Sequence, residues 1–259
     1  MPVCVAGMHR SGTSMVAKLL HGAGLYLGPR SDLVGSPEKE AEGHWENRGF
    51  VRLHERLLKR LGGSWDCPPP AAAICGEATR SAFRIEAATL LRDFSGHEPW
   101  GWKDPRNCLF LPLWQSLLDP LPVVVVARNP LEVAQSLQRR NGFSIAHGLA
   151  LWHVYNQRLI DAAGERIVTH YASWLHAPGS ELRRVLDALR LPAEDRVVDG
   201  LSGAAVADLR HHQVTAQDLQ HAGVDAASLD LYRRLCEEAN WVDASLAVRG
   251  SSAPADLER

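Results

Sequence analysis

Close to its amino terminus the chain reads Gly7-Met8-His9-Arg10-Ser11-Gly12-Thr13-Ser14. This follows the phosphate-loop pattern G-x-x-x-x-G-K-[ST] at every position except the lysine, which here is Thr13. Glycines let a backbone wrap an oxyanion, and the free N–H groups at a helix N-terminus bind it. The missing lysine matters, because that ammonium neutralises the β- and γ-phosphates of a triphosphate. The nearest cation is Arg10, inside the loop, which suits a less highly charged ligand. Ser11, Thr13 and Ser14 add three hydroxyls. The alternative is an ordinary tight turn between a strand and a helix.

A second cluster is Arg128-Asn129-Pro130-Leu131-Glu132, with Ser136 further along. Arg128 and the Ser136 hydroxyl suit a second, separate phosphate. The plain alternative pairs Arg128 with a surface carboxylate. Two further segments carry acid–base groups. Gly43-His44-Trp45-Glu46-Asn47 offers Glu46 as a general base, with His44 as the second choice. The alternative for Glu46 is to complement the positive end of a helix. Trp102-Lys103-Asp104-Pro105-Arg106 offers Lys103 either to a transferred group or to the base. Asp104 before Pro105 has the look of a helix N-cap.

These residues need strands and helices to hold them. Pro2–Ala6 reads as a strand, followed by the glycine-bounded loop and a helix from Met15 to His21. Asn47 followed by Phe50, Leu53, Leu57, Leu58 and Leu61 reads as an amphipathic helix stopped by Gly62-Gly63. Further helices are expected over Ser81–Phe94, Ala146–Ala163 and Ser180–Leu189, with a strand over Arg166–Tyr171. Pro122–Ala127 holds four consecutive valines, the mark of a strand buried on both faces of a parallel sheet. Asn129 as N-cap, Pro130 at the first helical position and Glu132 at the third predict a capping-box start to a helix ending near Arg140. Alternating strands and helices make an α/β fold with a central, mostly parallel sheet flanked by helices.

Length and charge narrow the classes. The chain has 259 residues, 46% of them hydrophobic, with 28 Lys and Arg against 30 Asp and Glu. That composition excludes a disordered chain and lacks the basic excess of a nucleic-acid binder. No apolar run is long enough to span a membrane, and the N-terminus has no secretory signal pattern. The five cysteines are scattered, which fits reduced thiols in a cytoplasm. No His/Cys spacing suggests zinc. One domain is expected over residues 1–249, its C-terminal third mainly helical, with a flexible tail over 250–259. Among the eight Trp, Trp45, Trp65, Trp100 and Trp102 are candidates either for core or for an acceptor-pocket wall.

Two phosphate sites without a triphosphate lysine describe a nucleotide phosphorylated at two positions. The sequence resembles the sulfotransferases that use 3'-phosphoadenosine 5'-phosphosulfate (PAPS), a P-loop-NTPase-like family. Their [KR]-S-G-T-[ST] loop matches Arg10-Ser11-Gly12-Thr13-Ser14, and their R-[ND]-P-x-[DE]-x-x-x-S segment matches Arg128 through Ser136. A looser match places Tyr171 after the third strand, without the family's acidic pair. Within the family the chain looks like the bacterial branch carrying G-M-H-R-S-G-T-S, G-H-W-E-N and W-K-D-P-R.

The resemblance implies that His9, Arg10, Ser11, Gly12, Thr13 and Ser14 hold the 5'-phosphosulfate. It implies that Arg128 and Ser136 hold the 3'-phosphate, with Tyr171 contacting the nucleotide. It further implies in-line sulfuryl transfer to a hydroxyl, with Arg10, Lys103, Glu46 and His44 as catalytic candidates. The product would be adenosine 3',5'-bisphosphate (PAP), and no metal is required. The acceptor would be a small molecule, carbohydrate or natural product. The alternatives are a phosphate-loop kinase and a non-catalytic nucleotide-binding regulator.

Overall fold

The structure is a computed structural model, described over residues 1–35, 44–192, 197–200 and 214–246. The expected tail at 250–259 lies outside the described residues. Four strands, β1 (Pro2–Ala6), β2 (Trp100–Lys103), β3 (Val123–Ala127) and β4 (Arg166–His170), form one sheet in the order β2-β1-β3-β4. Every pair in it is parallel, with Val5 opposite Lys103 and Val124 opposite both Val5 and Ile167. All four carboxyl ends therefore lie along one edge of the sheet. The chain leaves β1 in one direction to β2 and in the other to β3. Ligands of open parallel sheets bind in the crevice outside such a switch point.

Helices cover both faces. α1 (Thr13–Gly22) follows β1, α2 is Arg48–Arg60, α3 is Ala71–Ile74 and α4 is Glu77–Arg92. After β2 comes α5 (Asn107–Gln115), after β3 come α6 (Pro130–Asn141) and α7 (Ile145–Ala162), and after β4 come α8 (Tyr171–His176) and α9 (Pro178–Ala188). α10 (Ala216–His221) and α11 (Ala226–Glu238) follow further along the chain.

The pleat sends alternate residues of a strand to opposite faces. Cys4, Ala6, Val123 and Val125 join the core made with α2, α4, α5, α7 and α11, while Val3, Val5, Val124 and Val126 join that made with α1, α8 and α9. The four-valine run is thus buried on both faces, as its composition predicts.

Several expectations shift. β2 was not expected as a strand. Its sequence, WGWK, carries no β-branched residue, and only pairing with β1 makes it one. Gly101 is required there, because a Cβ would lie 2.4 Å from the Val3 carbonyl oxygen. Asp104 is not a helix cap: α5 starts at Asn107 after Arg106, and Asp104 accepts from the Arg106 N–H instead. β4 stops at His170, so Tyr171 opens α8. Only half of the capping box at α6 is made. Asn129 accepts from the Leu131 and Glu132 N–H groups, but the Glu132 side chain turns to Arg128. Trp100 and Trp102 do not wall a pocket. They are packed into the core with Phe50, Phe94 and Trp114.

Candidate active site

The loop after β1 lies at the centre of the strand-end edge. Gly12 is left-handed (φ 88°) and caps α1 with no side-chain hydrogen bond. A Cβ on it would fall 2.4 Å from the Tyr171 ring, so both backbone and space demand glycine. Arg10 is also left-handed (φ 69°). A bend of this kind ahead of an uncapped helix start makes an anion-binding concavity.

Two polar groups in this loop are buried without a hydrogen-bond partner: the Ser11 hydroxyl and His9 Nε2. Unpaired buried polar groups are costly, and here they sit where a ligand with many acceptor oxygens fits. His9 packs on Trp65, with ring centroids 4.5 Å apart, and on Tyr155. Burial, followed by the nearby Arg106 guanidinium, pushes its imidazole down to about 3, so it is neutral at pH 7. Trp65 is tied down by the Tyr155 hydroxyl, which donates to its carbonyl at 2.6 Å.

The second cluster adjoins the first. Arg10 Nε donates to Ser136 Oγ at 2.9 Å, and Arg128 Nη1 donates to the Arg10 carbonyl at 3.1 Å. Arg128 also pairs with Glu132 at 2.8 Å and lies 4.0 Å from the centre of the Tyr171 ring, a cation–π contact. These bonds bring the two clusters that the sequence singles out into contact across the ends of β1 and β3, with Tyr171, after β4, beside them. Burial raises the Glu132 carboxyl above its ordinary value, against the pull of Arg128.

The acid–base groups gather on the other side of the loop, at the end of β2. Lys103 is 2% exposed, and its ammonium donates to Glu46 Oε1 at 2.7 Å, to Ser14 Oγ at 3.0 Å and to the His44 carbonyl at 3.0 Å. All three ammonium protons are used. Ser14 Oγ donates to the same His44 carbonyl at 3.1 Å. Of the two roles open to Lys103, the geometry makes the contact with Glu46. The segment bearing Glu46 is pinned at its backbone. Val34 N–H donates to the Glu46 carbonyl at 2.7 Å, and His44 N–H donates to the Val34 carbonyl at 3.1 Å. Trp45, between them, is left-handed (φ 54°), a strained state for a bulky residue.

His54, and its pairing with Asp104, escaped the sequence reading. Both are fully buried, with His54 Nδ1 3.0 Å from Asp104 Oδ2. Burial alone would raise the Asp104 carboxyl, but the Arg106 guanidinium and the His54 hydrogen bond outweigh it and hold the group below the usual carboxylate range. The signal available in the sequence was spacing: Glu46, Phe50 and His54 recur every four residues. An open cleft of about 250 Å³ lies beside the start of α2, lined in part by Pro29, Asp32, Asn47, Arg48, Arg52 and Phe94. It includes no phosphate-loop residue, so it is separate from the strand-end crevice. Among the described residues no cluster of His, Cys, Asp or Glu is placed to hold a metal ion, and no helix is long and apolar enough to cross a membrane.

No family profile matches the chain, and neither does any curated protein. Solved structures do. The sulfotransferase domain of the Synechococcus PCC 7002 olefin synthase superposes with a TM-score of 0.50 at 18% identity, over 93% of this chain and 94% of that one. Sulfotransferase STF9 from Mycobacterium avium gives 0.54 at 13% identity, over 93% of this chain and 77% of that one. The chain has the sulfotransferase fold. In that fold the loop after β1, Lys103 at the end of β1's neighbour β2, and Arg128 after β3 line one strand-end edge, where the parallel topology puts the crevice.

Proposed function

We propose that this chain is a PAPS-dependent sulfotransferase that transfers a sulfuryl group to a hydroxyl of a small-molecule, carbohydrate or natural-product acceptor. The observation that carries the reading is the Lys103 ammonium. It bonds at once to Ser14 of the phosphate loop and to Glu46, tying an anion cradle to a carboxylate base.

The residues fit the nucleotide. The unpartnered Ser11 hydroxyl, the uncapped α1 start and Arg10 suit the 5'-phosphosulfate end. Arg128 and Ser136 suit the 3'-phosphate, and Tyr171, under the Arg128 guanidinium, supports that side. PAPS, when bound, supplies an activated sulfuryl group for in-line transfer. The protein's share is positioning and charge stabilisation. Arg10 faces the negative charge that develops on the leaving phosphate. Glu46 takes the acceptor's hydroxyl proton at its carboxylate, with His44 as the alternative base. Lys103 keeps Glu46 aimed by direct hydrogen bonding. His9, neutral and buried, lines the loop without adding charge. The sulfuryl group carries less charge than a phosphoryl group, so protein cations suffice and the reaction needs no metal.

β3 ends in Ala127 and is followed by Arg128, where a phosphate-loop kinase would hold magnesium with a carboxylate. The reading takes residues 1–249 as one domain. All five cysteines are unpaired, which supports a reducing cytoplasmic setting.

The test is transfer of ³⁵S from labelled PAPS to a panel of hydroxyl acceptors, with and without chelator. Labelled product and released PAP are expected in both. Transfer of γ-phosphate from ATP, with PAPS left intact, would overturn the reading.

A further inference from the structure

Helix α2 is fastened to the end of β2 at successive heights along one face. Just ahead of the helix, Glu46 pairs with Lys103 at 2.7 Å. One turn on, Phe50 stacks on Trp102, with ring centroids 4.9 Å apart and planes 8° from parallel. A further turn on, His54 Nδ1 meets Asp104 Oδ2 at 3.0 Å. Phe50 and His54, four apart, share one face of α2, and Glu46 lies just ahead of the helix, so the three ties follow one another along the chain.

The His54–Asp104 tie has a single defined geometry. The Trp114 indole N–H can only donate, and it points at His54 Nε2 from 2.9 Å. Nε2 therefore accepts, the ring proton sits on Nδ1, and Nδ1 donates to Asp104. The other Asp104 oxygen accepts from the Arg106 backbone N–H at 2.9 Å and from Nη1 at 3.0 Å. Phe110 stacks flat on the imidazole, 4.9 Å away and 8° from parallel. Neither ring nor carboxylate can move without breaking a buried hydrogen bond. Arg106 reaches back to α2 as well, donating to Glu55 at 2.9 Å.

We propose that His54 and Asp104 form a positioning pair that sets the rotation and height of α2 on the β2 end, and so holds the Glu46 carboxylate on Lys103 beside Ser14. Neither residue touches the reacting atoms. From His54 back to the helix start at Arg48 is about 9 Å at 1.5 Å per residue, and Glu46 lies two residues beyond, so a tilt of ~5° at His54 displaces Glu46 by ~1 Å. A displacement of that size costs roughly 100-fold in a positioned reaction. The inference rests on Glu46 being the base.

The experiment uses full-length His54→Leu and His54→Asn, with Asp104→Asn as the second route should the leucine variant fail to fold. His54→Leu keeps an apolar side chain against Phe110 but removes the donor. His54→Asn restores a donor near the Nδ1 position. Three readouts are taken: PAP affinity by calorimetry, turnover of ³⁵S-PAPS with water as acceptor, and the crystal structure of the variant.

For His54→Leu we expect turnover to fall roughly 10- to 100-fold, with PAP affinity unchanged within about threefold. His54→Asn should recover most of the turnover. In a Glu46→Gln background His54→Leu should have no further effect. The crystal structure should show the Glu46–Lys103 contact opened beyond ~4 Å, the usual ion-pair limit. Wild-type turnover in His54→Leu, or a contact kept at 2.7 Å, would overturn the proposal. So would an equal loss with and without Glu46. If the wild type binds PAP yet never consumes PAPS, the sulfotransferase reading fails, and the crystallographic contact still decides the positioning claim.

Discussion

Arg10 Nε donates to Ser136 Oγ across 2.9 Å, joining the loop after β1 to the helix after β3. The two clusters therefore meet across two strand ends, with Arg128 bonded to the Arg10 carbonyl. Arg128 is the residue assigned to the 3'-phosphate. A hydrogen bond to a charged partner contributes about 1.5–3 kcal/mol. Arg128→Ala should thus weaken PAP binding roughly 10- to 100-fold while leaving adenosine 5'-phosphate affinity nearly unaltered. Calorimetric titration of both nucleotides checks this, and equal losses would remove Arg128 from the 3' site.

Glu46→Gln keeps the shape of the base and removes its proton acceptor. Turnover of PAPS should drop by ~10²–10⁴, with PAP affinity held within a few-fold. A variant that binds PAP normally and turns over at the wild-type rate would leave Glu46 with a structural role only.

Gly12→Ala places a Cβ 2.4 Å from the Tyr171 ring, at a residue with φ of 88°. The left-handed backbone alone costs about 1–2 kcal/mol for a residue with a Cβ, and displacing Tyr171 adds to it. Urea unfolding should show a lowered midpoint, and PAP should bind weakly or not at all. An unaltered midpoint would mean that the loop relaxes freely.

His170 provides a pH-dependent signal away from the chemistry. Its Nδ1 accepts from the Ala172 N–H, and its Nε2 faces the Tyr232 hydroxyl, which donates to Asp243. Trp241 stacks flat on the ring. Burial lowers the imidazole to about 4. Asp243 opposes that shift and Arg128 adds to it. The folded value lies below the unfolded one, so protonation favours the unfolded chain, and stability falls as pH drops from about 6.5 towards 4. Between pH 7 and 5 this one site should remove ~2 kcal/mol of unfolding free energy. His170→Asn keeps the helix cap and abolishes the titration. Urea unfolding at both pH values should show a smaller decline in the variant. An identical decline would place the effect elsewhere.

Contiguous features were legible in the sequence. The phosphate loop declares itself through Gly7, Arg10, Gly12 and its hydroxyls. β3 does so through four valines, and α6 through Asn129-Pro130. What escaped was non-local. The His54–Asp104 contact joins residues 50 apart, and no local pattern encodes that pairing; for Lys103 the sequence offers the base as one of two partners, and the fold makes that contact. β2 is a strand by pairing rather than by propensity, and so the sequence leaves Trp100 and Trp102 open between core and pocket wall, and the fold makes them core. Both anion clusters were readable, but their contact was not, because Arg10 reaches Ser136 only after β1 and β3 lie side by side.

The central claim is that this crevice holds a nucleotide phosphorylated at its 3' and 5' positions as a sulfuryl donor. Its most direct measurement is calorimetric titration of the wild-type chain with PAP, with adenosine 5'-phosphate, and with ATP in the presence of Mg²⁺. The account predicts PAP as the tightest ligand of the three, with adenosine 5'-phosphate weaker by the contribution of Arg128. Binding of ATP–Mg²⁺ in preference to PAP would contradict it.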